Sequence, residues 1–313
     1  MKSMSDFIRQ KAFELGFHKV GFAKAEQLNE KQNHLEEWIK KGFNGEMSWM
    51  GRNISKRINP SEVMPNAKSI VSVAMNYYNS LKQAESQDAA KIARYALKRD
   101  YHELIGDRLH QLLQEIKRIE PMAQGTICVD HGPVMEKAWA VKSGIGWQGK
   151  HTITITREFG SWILLGELIL NLELDFDLPA IDLCGDCTLC IDACPTKAIV
   201  EPYVLDANKC ISYLTIEYKG AITSDLSSKM DNWIFGCDVC QEVCPWNLRY
   251  SKLTNEVDFI PDENDNSINT FSMFTKNQFN EIFKNSPIKR IGYDRFKRNV
   301  QYVLTNIKGK ENE

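Results

Sequence analysis

The sequence has 313 residues, of which 43% are hydrophobic and 10% aromatic; a chain this long and this apolar excludes a disordered polypeptide and predicts two or three packed units. Its formal net charge of −2 excludes a uniformly basic surface, so contact with nucleic acid has to come from a local patch. No stretch is long enough to span a bilayer and Met1–Leu15 carries no apolar signal segment, which predicts a soluble, cytoplasmic protein, by default a monomer, with no membrane partner.

Apolar residues at helical spacing predict amphipathic helices over Ser5–Leu15, through Phe7, Ala12 and Leu15, and over Gln27–Lys41, through Leu35, Trp38 and Ile39. Ala67–Met75 is a β-type run, and Tyr101–Ile119 reads as a long helix carrying Leu104, Leu109, Leu112, Leu113 and Ile116. A strand at Gly125–Val129 runs into Asp130-His131-Gly132-Pro133, where glycine and proline predict a loop. Glu136–Ser143 is helical, Gly144–Gly149 is a glycine-rich connection, and Thr152–Thr156 and Ser161–Leu170 return to strand-like or buried character. Trp162–Leu172, the most apolar run, is too short to cross a membrane and contains Glu167. Alternating helices and strands over residues 1–175 predict an α/β domain. A polar, acidic stretch from Asn255 to Asn266 reads as a linker, and Thr275–Ile307 as two packed helices holding Phe279, Ile282, Phe283, Phe296, Val300, Val303 and Leu304. Lys284, Lys289, Arg290, Arg295, Lys297 and Arg298 form a basic cluster that could attract phosphate, or be a solvated helix face.

The strongest chemistry lies in residues 176–255. Cys184, Cys187, Cys190 and Cys194 read C-x2-C-x2-C-x3-C-P, and Cys237, Cys240 and Cys244 read C-x2-C-x3-C-P. Thiolates at this spacing wrap iron–sulfur cubanes, the cysteine before proline reaching the neighbouring cluster. Cys210 supplies the eighth ligand. On the crossed pattern of two-cluster ferredoxins, Cys184, Cys187, Cys190 and Cys244 hold one [4Fe-4S] cluster, and Cys210, Cys237, Cys240 and Cys194 the other. A disulfide framework belongs to small secreted scaffolds, and zinc does not explain two Cys-Pro endings. Cys128, in the apolar run Ile127-Cys128-Val129, reads as core.

Val129-Asp130-His131-Gly132-Pro133-Val134-Met135-Glu136-Lys137-Ala138-Trp139-Ala140, continuing at Ser143-Gly144-Ile145-Gly146-Trp147-Gln148-Gly149-Lys150-His151-Thr152, resembles the epoxyqueuosine reductase family. Gly45-Glu46-Met47, Arg94-Tyr95-Ala96, Gly160-Ser161-Trp162, Cys194-Pro195-Thr196-Lys197, Cys210-Ile211-Ser212-Tyr213 and Gly236-Cys237-Asp238-Val239-Cys240-Gln241 extend the resemblance over nearly the whole chain. His131 stands where a small hydroxyl residue is expected, His151 where Asn is common, and Leu97-Lys98 where Trp-Gly is common.

The resemblance implies an α/β cobalamin-binding domain of nitroreductase-like and reductive-dehalogenase-like type over 1–175, a ferredoxin-like domain over 176–255, and a short, truncated HEAT-like helical segment over 256–313 that could touch tRNA. It implies reduction of epoxyqueuosine at the wobble position of tRNA with a GUN-type anticodon, using cobalamin next to two [4Fe-4S] clusters and an external low-potential electron donor. Asp130 is the implied proton donor. An ordinary aspartate is ionised near pH 7, so this role asks burial to favour the neutral form by about 4 kcal/mol; the alternative is that Asp130 only caps the following helix. Arg57, Tyr95, Asp130, His151, Thr154, Ser161 and Glu217 are the implied corrin pocket, and Lys150 serves tail, substrate or solvent. Asp100-Tyr101-His102-Glu103-Leu104-Ile105-Gly106 matches a cobalt-ligating Asp-x-His-x-x-Gly pattern by accident, since it opens a helix that Asp100 would cap. Rival readings are a reductive dehalogenase-like enzyme and a non-catalytic two-cluster electron carrier.

Overall fold

The computed structural model describes residues 3–81, 89–261 and 267–311. Its first part comprises α1 (Met4–Glu14), β1 (Lys19–Lys24), α2 (Asn29–Lys40), β2 (Ser69–Asn76), α3 (Tyr101–Ile119), β3 (Gly125–Cys128), α4 (Glu136–Lys142) and β4 (Ile163–Leu170). The four strands form one sheet in the order β1-β2-β4-β3, and every neighbouring pair is antiparallel. This departs from the parallel sheet that alternating helices and strands suggest. The reason is that helices cover both faces, so all eight residues of β2 are buried, and a strand buried on both sides reads alike whichever way its neighbours run.

Helix α3 begins where Asp100 accepts a hydrogen bond from His102 N–H at 3.0 Å and ends with Lys117 and Arg118 in its last turn, matching the predicted span residue for residue. Its apolar stripe, Ile105, Leu109 and Leu112, packs with Ile8 and Ala12 of α1 on Val71, Val73, Leu168 and Leu170 of the sheet. Each such side chain, wholly removed from water, stabilises the fold by about 1.5–3 kcal/mol. On the opposite face Trp139 of α4 packs on Ala23, Ile70 and Ile169. The sheet is thereby clamped between α3 and α4, and the turn joining β3 to α4 is held at its edge.

The short helices of the cysteine-rich part include α5 (Leu189–Asp192), α6 (Ile211–Ile216), α7 (Val239–Glu242) and α8 (Pro245–Tyr250). Beyond it come α10 (Lys276–Ile282) and α11 (Gly292–Glu311), the two helices predicted over Thr275–Ile307, preceded by α9 (Ile268–Met273), whose six residues are too few to show a period. Phe271, Phe274, Phe279, Phe283 and Phe296 share one core with Ile92, Ala96, Ile234 and Phe235, so this segment is built onto the rest. Part of the predicted acidic linker, 262–266, lies outside the described residues. No helix among the described residues is long and apolar enough to cross a membrane.

The basic cluster is largely spent internally. Arg295 donates to the carbonyls of Ile216 (2.6 Å) and Ile291 (2.7 Å), Arg298 to those of Leu214 and Gly220 (both 2.7 Å), Lys297 to that of Ser272, and Arg290 pairs with Glu217. Lys284 and Lys289 stay exposed. A phosphate-binding face made of all six is therefore not present; their spacing looks the same whether the partners are phosphates or carbonyls.

Candidate active site

Strand β3 delivers Cys128 and Val129 into the core, Cys128 as a buried free thiol, and then turns sharply. Asp130 has φ of 51° and Gly132 φ of 104°, both left-handed, while His131 N–H donates to the Val129 carbonyl at 2.7 Å. A left-handed aspartate is uncommon and costs energy that its surroundings must offset. The offset is visible. Tyr101 O–H donates to Asp130 Oδ2 at 2.7 Å, His102 Nε2 lies 3.6 Å from the same oxygen, and Asp130 N–H donates to Glu136 Oε1 at 2.5 Å. Helix α4 is capped at Met135 without a side-chain bond, so Asp130 is not its cap.

These partners reverse the expected electrostatics of Asp130. Burial raises its carboxyl, but hydrogen bonds from His102 and Tyr101 and the positive charges of His102 and Arg290 outweigh burial, leaving it below its ordinary range. His102 goes the other way: burial opposes its charge, yet bonds to Asp100 (2.6 Å from Nδ1) and Asp130 push it up to about 9. Near neutral pH the proton rests on His102. Burial alone would favour a neutral Asp130; the donors that the first turn of α3 presents lie some thirty positions away in sequence and reverse it. His102 is thus placed by the very cap that makes a cobalt-ligand match there accidental.

Tyr95 lies edge-on to Tyr101, with ring centroids 5.9 Å apart, and has Asp130, Arg290 and Glu217 as charged neighbours, so three implied pocket residues converge. His151 and Thr154 lie in and after the turn that follows Trp147–Gln148. Both are buried, and among the described residues His151 Nε2, Thr154 Oγ1 and Arg57 Nε have no hydrogen-bond partner. His151 Nδ1 accepts from Ile153 N–H at 3.1 Å, which leaves the proton on Nε2, and burial with nearby Lys137 holds the ring neutral, its pKa lowered to about 4. Lys137 was missed by sequence reasoning; its side chain is exposed, yet loss of hydration outweighs the nearby Asp130 and Glu136 and lowers its pKa. Ser161 stands apart. Its hydroxyl donates to Gln241 Oε1 at 2.9 Å and accepts from Asn247 Nδ2 at 2.8 Å, joining the sheet to α7 and α8. Lys150 is buried and donates to the carbonyls of Gly185 (2.6 Å) and Cys187 (3.0 Å), so it braces the first cysteine loop.

The thiols fall into two neighbourhoods. Cys190 has Cys244, Cys184 and Cys187 as its thiol neighbours; Cys237 has Cys210 and Cys194, and Cys240 has Cys237, Cys210 and, less strongly, Cys190 of the first group. Among the described residues no three His, Cys, Asp or Glu side chains gather closely enough for a single ion. Thiolates around a cubane stand farther apart than ligands around one metal, and their softness suits iron–sulfur chemistry.

A family model described as "4Fe-4S double cluster binding domain" matches residues 183–247, and one described as "Epoxyqueuosine reductase QueG, DUF1730" matches residues 57–131. The chain is 44% identical over 300 residues to the epoxyqueuosine reductase of Cyclobacterium marinum, covering 96% of each chain. It is 40% identical over 312 residues to that of Escherichia coli K12, covering 98% of this chain and 82% of the relative. An epoxyqueuosine reductase crystallised with a tRNA-Tyr epoxyqueuosine-modified tRNA stem loop superposes with a TM-score of 0.90 at 30% identity, over 96% of this chain and 81% of that one. The enzyme from Bacillus subtilis, described with its catalytic aspartate loop swung out of the active site, gives 0.89 at 29% identity, over 97% and 82%.

Proposed function

The chain belongs to the epoxyqueuosine reductase family, a family of oxidoreductases, and from that membership we propose that it reduces epoxyqueuosine to queuosine at the wobble position of tRNAs with GUN-type anticodons. The observation that carries the reading is the half-exposed Asp130 carboxylate on its left-handed turn, bonded to Tyr101 and facing a charged His102. The stem loop bound by one relative and the swinging aspartate loop of another support the same placement.

The residues fit a corrin. His151 Nε2 and Thr154 Oγ1 are buried polar atoms without partners among the described residues, and such atoms are costly unless a ligand satisfies them. Cobalamin held there would supply the strongly reducing metal that epoxide opening requires, with electrons arriving singly from an external low-potential donor by way of the two clusters. Cys184, Cys187, Cys190 and Cys244 would hold one cluster and Cys194, Cys210, Cys237 and Cys240 the other.

The chain's own part is proton management. The Asp130 side chain is 53% exposed, and His102 stores the proton 3.6 Å from its Oδ2. Substrate entry removes water from Asp130, which disfavours its anion and draws the proton forward from His102. Asp130 then gives the epoxide oxygen one of the two protons with which, after two electrons, it leaves as water; the second follows when Asp130 is recharged from His102 and solvent, Tyr101 keeping the carboxyl aimed. Exposed Lys284 and Lys289 add local positive charge for the tRNA backbone.

The test is anaerobic protein reconstituted with cobalamin and assayed on an epoxyqueuosine anticodon stem loop under strong reductant. Asp130→Asn should lower turnover by about 100-fold or more while iron and corrinoid contents stay unchanged. A fully active variant would remove Asp130 from the reaction, and a protein that takes up no corrinoid would revive the electron-carrier reading.

A further inference from the structure

The hairpin that carries His151 and Thr154 also reaches the first cysteine loop, and one of its buried donors is left without an acceptor. Trp147–Gln148 pairs antiparallel with Thr154–Ile155, Trp147 lying opposite Ile155. The two strands meet closely at Gly146, where a Cβ would stand 2.1 Å from the Ile155 carbonyl oxygen. From the turn between them Lys150 holds the carbonyls of Gly185 and Cys187, at 2.6 and 3.0 Å. Trp147 itself is only 3% exposed, and among the described residues its Nε1–H has no hydrogen-bond acceptor.

Cysteines of the first cluster surround this indole. Trp147, Ile155 and Cys244 form one apolar group, with Leu183, Cys184 and Trp246 packed against it. The Trp147 ring stands edge-on to Trp246, centroids 4.7 Å apart, and Trp246 stacks on Tyr250, so the indole is clamped by the segment that follows Cys244. Burial disfavours the Cys184 thiolate, whereas the Lys150 backbone N–H and the Trp147 side chain favour it; the indole N–H is therefore close to Cys184 without closing a bond to it. Sulfur already accepts elsewhere in this region, where Cys194 Sγ takes the Ala198 N–H at 3.2 Å. A buried indole N–H normally finds a partner, and the acceptors that belong beside Cys184 and Cys244 are the sulfurs of a bound cubane.

We propose that Trp147 tunes the first cluster, donating its indole N–H to a sulfur of the cubane held by Cys184, Cys187, Cys190 and Cys244 and so raising that cluster's reduction potential. Reduction adds one electron, supplied by the external low-potential donor, and no covalent bond or proton changes hands. A donor aimed at sulfur stabilises the more negative, reduced cluster more than the oxidised one. This tuning rests on the cluster assignment and not on epoxyqueuosine reduction.

Anaerobic full-length protein carrying both clusters, titrated with a chemical reductant and followed by electron paramagnetic resonance, reads the potentials without tRNA or turnover. Trp147→Phe keeps an aromatic ring but no donor; it should make one of the two clusters about tenfold harder to reduce, a downward shift of about 59 mV for one electron, at unchanged iron content. The sign separates this from a packing role, since loosened packing admits water, which stabilises the reduced cluster and moves the potential upward. In the reduced wild type, pulsed resonance on protein with isotopically labelled tryptophan should show an indole nitrogen coupled to the cluster. That coupling should vanish in Trp147→Phe and persist in Trp246→Phe. An unmoved or raised potential, no coupling in the wild type, or a coupling that survives Trp147→Phe would overturn the tuning role. Should Trp147→Phe bind iron poorly, the coupling in the wild type and in Trp246→Phe decides alone. A wild type that binds no cluster at these cysteines would overturn the cluster assignment as well, whereas an unmoved potential overturns the tuning role only.

Discussion

Asp130 shows how three neighbours decide the state of one carboxyl. Sequence alone says that an acid stands after a strand and before Gly-Pro; it does not say that Tyr101 and His102, some thirty positions earlier, turn it into a stabilised anion. His102 has its own pH signature. Its pKa is raised from an ordinary 6.5 to about 9, so the stability it contributes is full below 6.5 and is lost as pH rises through about 9. Replacing His102 by Asn should therefore flatten the stability profile between those limits, measured by denaturant unfolding of the reconstituted protein, and slow turnover by about tenfold or more through loss of the proton store. An unchanged profile would mean that His102 is neutral in the folded protein.

Elements, in turn, are held at distances that single substitutions can test. Helix α3 lies so close to β4 that a Cβ on Gly166 would stand 2.6 Å from Ile105 Cγ2. Gly166→Ala should cost about 1–3 kcal/mol by overpacking, seen as a lower thermal midpoint. The seam between sheet and cluster region is the other case: Ser161→Ala leaves Gln241 and Asn247 each short of a buried bond and should cost about 1–3 kcal/mol. If Ser161 belongs to that seam, cobalamin content stays unchanged in the variant; a loss of corrinoid with normal stability would return Ser161 to the pocket. Helix α3 was legible because nineteen residues repeat the 3.6-residue period, whereas β1 was overlooked because Val20 and Phe22 are too short an alternation to stand out.

For the molecule as a whole, the C-terminal helices are part of the structure that carries the site. Their phenylalanine cluster covers Ile92 and Ala96 next to Tyr95, and also Ile234 and Phe235 next to Cys237. Removing everything from Ile268 onward would expose that apolar surface, and the truncated chain should aggregate or bind well under its full iron, measured by iron analysis after anaerobic purification. Retention of about eight irons per chain would show that the cluster region stands without these helices.

The sequence by itself determined the eight cysteines, the long helix α3, the turn at Asp130 and the family, because each is written in local spacing or in contiguous motifs. Tertiary structure alone decided the antiparallel direction of the sheet, the internal use of Arg295 and Arg298, the charge on Asp130 and His102, and the bond from the Asp130 N–H to Glu136. These depend on which groups meet across long stretches of chain. A carboxyl or guanidinium carries no mark of its partner until folding has removed the water around both.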